Sequence, residues 1–251
     1  MQPFSVAFAS SGRLFSSFLM KQTLLLLTSS WLLASTAQAQ TTFSVGPRVG
    51  FNVSSIDISA PEGTSYTSCP GVEAGLTGTV QFGHFAVQPS LLFSQHGYRS
   101  SVEERNFDIR SFFEEDVRLN YLTLPVNLAW TPGRNGQGLQ VLAGPYARLL
   151  VGGNFTRQDN PPNGIPVTGN VKTAKAAGYD PDNRYTQRVD GGLQAGVGYC
   201  LKGMQLQACY SMGLRDLAVP YRGYDGRVSA SPAYYNRAFQ VSFSYLVGVK
   251  G

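Results

Sequence analysis

Few side chains in this 251-residue sequence have the types and spacing to do chemistry. There are 2 histidines, and only one sits near a plausible partner set. His96, with Asp116 and several serines to draw on, would make a His-Ser-Asp arrangement suited to acyl transfer. A single histidine at the rim of a fold is more simply a surface residue, and no G-x-S-x-G, H-E-x-x-H or phosphate loop supports the catalytic reading. His84 lies in a short turn away from it. The glycines of Gly191-Gly192-Leu193-Gln194-Ala195-Gly196 are no dinucleotide fingerprint, because no helix follows; they suit close packing or bending of a strand. Asp180-Pro181-Asp182-Asn183 is better explained by turn chemistry than by calcium. The 3 cysteines are too few for a disulfide scaffold or a structural zinc site. Cys200 and Cys209 flank the Lys202-Gly203 turn, and Cys209 should lie opposite Gly196, beyond disulfide reach of Cys200. The expectation is no catalytic residue, no metal and no cofactor.

What remains is four charges on otherwise polar faces: Arg48, Glu73, Arg148 and Asp190. They define either a gated path or an interior ion-pair network, and the network is favoured in a narrow lumen.

The elements that carry these residues show period two. In Thr42–Ser54, Phe43, Val45, Pro47, Val49, Phe51 and Val53 alternate with Ser44, Gly46, Arg48, Gly50, Asn52 and Ser54. The same pattern runs through 71–82, 85–96, 117–130, 139–151, 188–199, 204–214 and 235–247. These eight segments match the roughly 9–11 residues of a tilted membrane-crossing strand and exceed the usual five or six of soluble strands. Gly83-His84, residues 131–138 and Lys202-Gly203 are short connections; 55–70, 97–116, 152–187 and 215–233 are long ones. Strict alternation of short turns and long loops is the outer-membrane barrel plan, with both chain ends on the periplasmic side. The polar face is rich in Gly, Ser and Gln rather than Lys and Glu, which suits a packed interior and sends the apolar face outward. The fold expected is all-β, an eight-stranded antiparallel up-and-down transmembrane β-barrel.

Composition agrees. Charged residues are 14% and apolar or aromatic ones 43%, which excludes disorder. A net charge of +5 with no Lys/Arg stripe gives no reason to expect nucleic acid. Met20-Lys21, an apolar run through Leu24–Leu27 and Trp31–Ala34, and Ala37-Gln38-Ala39 form a secretory signal peptide over residues 1–39. Residues 1–19 read as an upstream extension, and 40–251 as the barrel domain.

Four stretches carry a resemblance: Tyr121-Leu122-Thr123-Leu124-Pro125-Val126-Asn127-Leu128, Leu142-Ala143-Gly144-Pro145-Tyr146, Asp190-Gly191-Gly192-Leu193-Gln194-Ala195-Gly196-Val197-Gly198-Tyr199, and Tyr210-Ser211-Met212-Gly213-Leu214. With these the chain resembles the PorT-like outer-membrane β-barrel proteins of Bacteroidetes. The resemblance implies an eight-stranded porin-family barrel of the cell envelope; the founding member's link to type IX secretion is not carried over. The chain departs from such barrels by ending Tyr245-Leu246-Val247-Gly248-Val249-Lys250-Gly251, so that Tyr245 must stand in for a terminal aromatic. The function expected is structural, adhesive or assembly-accessory, with outer-membrane lipid around the barrel and envelope proteins meeting the long loops. The alternatives are a small pore or ligand transporter, and an outer-membrane lipid-modifying enzyme.

Overall fold

The computed structural model describes residues 41–59, 63–106, 109–133, 136–160 and 165–249. The expected signal peptide lies outside the described residues. The strands in chain order are β1 (Thr42–Ile58), β2 (Thr64–Phe82), β3 (Phe85–Asn106), β4 (Ile109–Trp130), β5 (Gly138–Asn160), β6 (Val167–Thr173), β7 (Asn183–Thr186), β8 (Val189–Leu201), β9 (Met204–Gly213), β10 (Tyr221–Arg222), β11 (Val228–Ser229), β12 (Tyr234–Tyr245) and β13 (Val247–Val249).

Eight of these close into a ring. The order is β4-β3-β2-β1-β12-β9-β8-β5, and a β4–β5 pairing joins the ends. Every neighbouring pair is antiparallel. Closure is what hydrocarbon demands, since each unpaired backbone group there costs several kcal/mol. β13 continues the last strand along β1 after a break at Leu246.

The alternation in sequence becomes a two-faced wall. Phe43, Val49, Leu76, Leu91, Leu124, Val141, Val197 and Phe243 are exposed on the outside. Arg48, Asn52, Thr77, Gln88, Asn127, Gln140, Gln194, Gln207 and Ser242 are buried on the inside. Phe43, Phe82, Phe85, Trp130, Tyr199 and Tyr245 gather at the short-turn end of the outer face, and Phe51, Phe93, Tyr210 and Phe239 form a second group nearer the other end. Two aromatic girdles around an aliphatic band are the profile of a bilayer-crossing barrel.

The short turns follow from backbone conformation. Lys202 and Gly203 both have positive φ (50° and 85°), the pair a type I′ hairpin needs. Gly83 alone has positive φ (61°) at Gly83-His84, as type II′ requires.

The long connections differ from expectation. Residues 55–70 and 97–116 are not loops over most of their length: β1 runs on to Ile58, β2 starts at Thr64, and β3 and β4 reach Asn106 and Ile109. Charges on both faces, as at Glu114-Glu115-Asp116, erase the alternation that marks a strand, but the backbone ladder continues without it. Residues 152–187 contain the end of β5 and the small strands β6 and β7, and 215–233 holds the β10–β11 hairpin.

Candidate functional site in the lumen and at the mouth

The lower lumen is bridged by amides. Arg48 on β1 donates through Nη1 to Gln207 Oε1 (3.0 Å) and through Nη2 to Glu73 Oε1 (3.3 Å). Gln207 Nε2 on β9 donates to Gln88 Oε1 on β3 (2.8 Å). Gln88 and Gln205 both donate to Gln140 Oε1 on β5, at 3.4 and 2.8 Å. In the ring β3 and β9 are four strands apart in either direction, so the Gln88–Gln207 bond crosses the full width of the barrel. Higher up, Gln240 donates to Gln194 (3.1 Å) and Gln194 to Asn127 (2.8 Å), linking β12, β8 and β4.

The upper lumen holds the second charge pair. Arg148 and Asp190 are direct cross-strand partners on β5 and β8, with Nη1 3.2 Å from Oδ2. Arg148 Nη2 also donates to Ser211 Oγ (3.1 Å), and its guanidinium lies 4.1 Å over the Tyr146 ring. Asn236 donates to Asp190 Oδ2 at 3.0 Å. Arg148 is 1% exposed and Asp190 0%, so both charges face protein groups, while Arg148 Nε and Asp190 Oδ1 have no hydrogen-bond partner among the described residues. The four charges singled out in the sequence thus fall into two separate pairs at two heights. The amides, Ser211, Tyr146 and Asn236 are not among the residues the sequence points to; recurring Gln on the polar faces is the signal that amides fill the lumen.

His96 and Asp116 are not brought together, which corrects the acyl-transfer arrangement weighed above. Nor is His96 a surface residue: it is buried inside the barrel, edge-on to Tyr121 with ring centroids 5.9 Å apart, and neither ring nitrogen has a hydrogen-bond partner among the described residues. Asp116 lies on the opposite face of β4 from the inward Glu115 and Val117, where it pairs with Arg99 (3.3 Å) and Arg118 (3.5 Å). The strand extension of β3 and β4 separates them, because residues on opposite faces of one sheet cannot share a proton. All three cysteines are free, and Gly196 is paired with Cys209.

Above the charge pair the mouth is capped. A register shift between Asn120 and Tyr121 adds a residue to β5, and beyond it Phe155 turns inward. Phe155 joins Val117, Leu119, Tyr121, Leu150 and Val171 in an apolar cluster, Val171 being supplied by β6. Arg184 on β7 grips Glu115 on β4 through two bonds, 2.9 and 2.7 Å, and lies 4.2 Å over the Phe155 ring. Thr186 and Tyr234 share a 2.6 Å hydroxyl bond, and Gln187 bonds backbone to backbone with the buried Leu217 (3.1 Å). In the turn before β7, Asp180 accepts from the Asp182 and Asn183 amides (3.0 and 3.1 Å), the Asn183 side chain (2.9 Å) and the Tyr185 hydroxyl (2.8 Å). The Asn183 side chain, then the Tyr185 hydroxyl, hold its carboxyl below the usual carboxylate range. The sequence 180–183 is therefore a turn whose acid is used by its own loop. No cluster of three or more His, Cys, Asp or Glu suited to a metal occurs among the described residues.

A closed ring of eight strands, apolar outside and hydrogen-bonded inside, is an integral barrel of the outer membrane type. Residues 37–219 match the family model described as outer membrane protein beta-barrel domain, and the chain belongs to that family. No curated protein matches it. Among solved structures it is similar to Neisserial surface protein A (11% identity, 81% of this chain and 96% of that one, TM-score 0.41). It is also similar to Ail, the attachment invasion locus protein of Yersinia pestis (10%, 82% and 99%, TM-score 0.36), and to OprG of Pseudomonas aeruginosa (13%, 83% and 97%, TM-score 0.39).

Proposed function

We propose that this outer membrane barrel is a sealed anchor that holds its extended hairpins out as a contact surface, of structural, adhesive or assembly-accessory type. The Gln88–Gln207 bond across the lumen carries the reading, because a wall-to-wall bridge between side chains leaves no column of water for ions. The capped mouth supports it, and so do the tall β1–β2 and β3–β4 hairpins, which expend chain length on one side only. Both ends of the barrel domain lie at the short-turn end, which in this reading is periplasmic, reached after a leader ending at Ala39 is removed. The protein works without catalysis. Finer kinship with the PorT-like barrels of Bacteroidetes rests on the four motifs, all of which fall on β4, β5, β8 and β9 or at their ends.

The test is conductance in a planar lipid bilayer. The refolded barrel gives no unitary current steps; porin-like steps would overturn the sealed reading in favour of a pore. A variant with the β3–β4 hairpin cut back above Gly97 and Arg118 keeps the barrel and loses its cross-linked envelope neighbours. Unchanged cross-linking would remove the hairpin from the contact surface.

A further inference from the structure

At the long-loop end, a cleft of about 360 Å³ opens between the inner faces of the β1–β4 extensions and the segments around Tyr185 and Tyr234. Tyr66, Tyr98, Phe113, Tyr185 and Tyr234 line it, together with Glu115 and smaller apolar and hydroxyl side chains. The rings are set at angles. Tyr66 and Tyr98 meet with centroids 6.1 Å apart and planes at 61°, and Tyr98 and Tyr234 at 6.5 Å and 59°. They form a trough and do not collapse into a stack.

The backbone is shaped to make this trough. Below the register shift between Ser68 and Glu73 the inward residues of β2 are odd-numbered, such as Glu73 and Thr77. Above it Tyr66 is paired with Ser100, so an even-numbered residue turns inward. One extra residue in a strand re-aims the side chains beyond it. Without it Tyr66 would face away from Tyr98.

The chemistry of the lining limits the ligand. Glu115 is neutralised by the two bonds from Arg184, so the cleft offers no unpaired counter-charge to an ion. Tyr185 and Tyr234 spend their hydroxyls on Asp180 and Thr186. The hydroxyls of Tyr66 and Tyr98 have no hydrogen-bond partner among the described residues. A cleft whose one charge is paired, with tyrosine rings in its lining and two hydroxyls without partners, suits a ligand with an apolar flat side and a polar rim. A pyranose has that form, with C–H bonds on one face and hydroxyls around the edge.

We propose that this cleft binds a neutral saccharide of one or two pyranose rings, stacked on Tyr66 and Tyr98. The proposal rests on the reading of the mouth as a contact surface and gives that surface a ligand class.

The experiment uses the full barrel refolded in lauryldimethylamine oxide, a detergent with no sugar headgroup. Saturation-transfer NMR and calorimetric titration are run with maltose, lactose and N,N′-diacetylchitobiose, alongside a sulfated disaccharide and a phenylalanine-containing tripeptide. At least one neutral disaccharide binds, and the sulfated one binds no better. Tyr98→Ala weakens binding about tenfold or more. Tyr66→Phe keeps the ring and loses the hydroxyl, weakening it about threefold. Each variant is accepted only with its heat-modifiable gel band intact, and if Tyr98→Ala lacks it, Tyr66→Phe and Tyr98→Phe carry the comparison. No binding of any neutral disaccharide, or preference for the sulfated sugar or the tripeptide, overturns the proposal. If the sugars fail while hairpin-dependent cross-linking persists, the saccharide site alone falls; if both fail, the contact-surface reading falls with it.

Discussion

Gln88 and Gln207 stand on opposite walls of the barrel, yet their side-chain amides meet at 2.8 Å. Gln207 also accepts from Arg48, so one glutamine ties three strands across the lumen. Replacing Gln207 with Leu leaves Arg48 and Gln88, both buried, each short of a partner. The expected loss is about 1–3 kcal/mol. It is read from the urea midpoint of the heat-modifiable band in lipid vesicles, and an unshifted midpoint would show that the bridge contributes nothing.

The upper pair should be more sensitive to breakage than to replacement. Arg148→Ala strands a fully buried Asp190 carboxylate and should destabilise by about 3–5 kcal/mol. Removing both charges together, as Arg148→Met with Asp190→Leu, should recover most of that loss, because desolvation of both ions disappears with them. A double variant as unstable as the single one would mean that the pair itself, not its imbalance, holds the wall.

The outer face should show depth. Leu76→Arg, midway between the two girdles, should cost about 2–4 kcal/mol in vesicle folding. Leu139→Arg at the short-turn rim should cost about 0–1 kcal/mol. Equal effects at the two positions would contradict a lipid band between the girdles.

The Asp180 turn should weaken in acid. Its carboxyl is depressed in the folded loop by the Asn183 amide and the Tyr185 hydroxyl. Its stabilisation is therefore fully present above the ordinary carboxylate range near ~3.9 and is lost as pH falls through the lower folded value. Carbon-13 titration of Asp180 should give a midpoint below the ordinary carboxylate range, with Asn183 and Tyr185 resonances shifting together. An ordinary Asp180 midpoint would show that the turn does not use the charge.

Cys69 and Cys209 are 2% and 1% exposed and unpaired. Maleimide should label them only after heat unfolding, and reductant should leave gel mobility unchanged. Rapid labelling of folded protein would place a thiol at an open surface.

The barrel is legible because period two runs unbroken through each crossing: counting alternate residues puts Phe43, Val45 and Val49 outside and Arg48 inside, and puts Arg148 and Asp190 on the polar face near the long-loop ends of adjacent segments. That counting fails where a strand gains a residue. Tyr66 and Phe155 face inward because of irregularities near Ser68–Glu73 and Asn120–Tyr121, and neither leaves a mark in the local pattern. The hairpin extensions escaped notice for a related reason. Once a strand leaves the bilayer, neither face has to be apolar, so Arg99, Glu114 and Asp116 carry no periodic signature. Without that signature His96 and Asp116 look like neighbours at a rim, although they lie on opposite faces of the wall.

The unbroken ladder from Gln95 to Asn106 has a consequence for reach. At roughly 3.3 Å per residue and a tilt near 40°, it lifts the tip of the β3–β4 hairpin about 25–30 Å from the level of Gln95. A ladder of that height sets Asn106 and Ile109 well beyond the girdle of Phe51, Phe93, Tyr210 and Phe239. If the hairpin is the contact surface, its partner is met at that distance from the barrel wall.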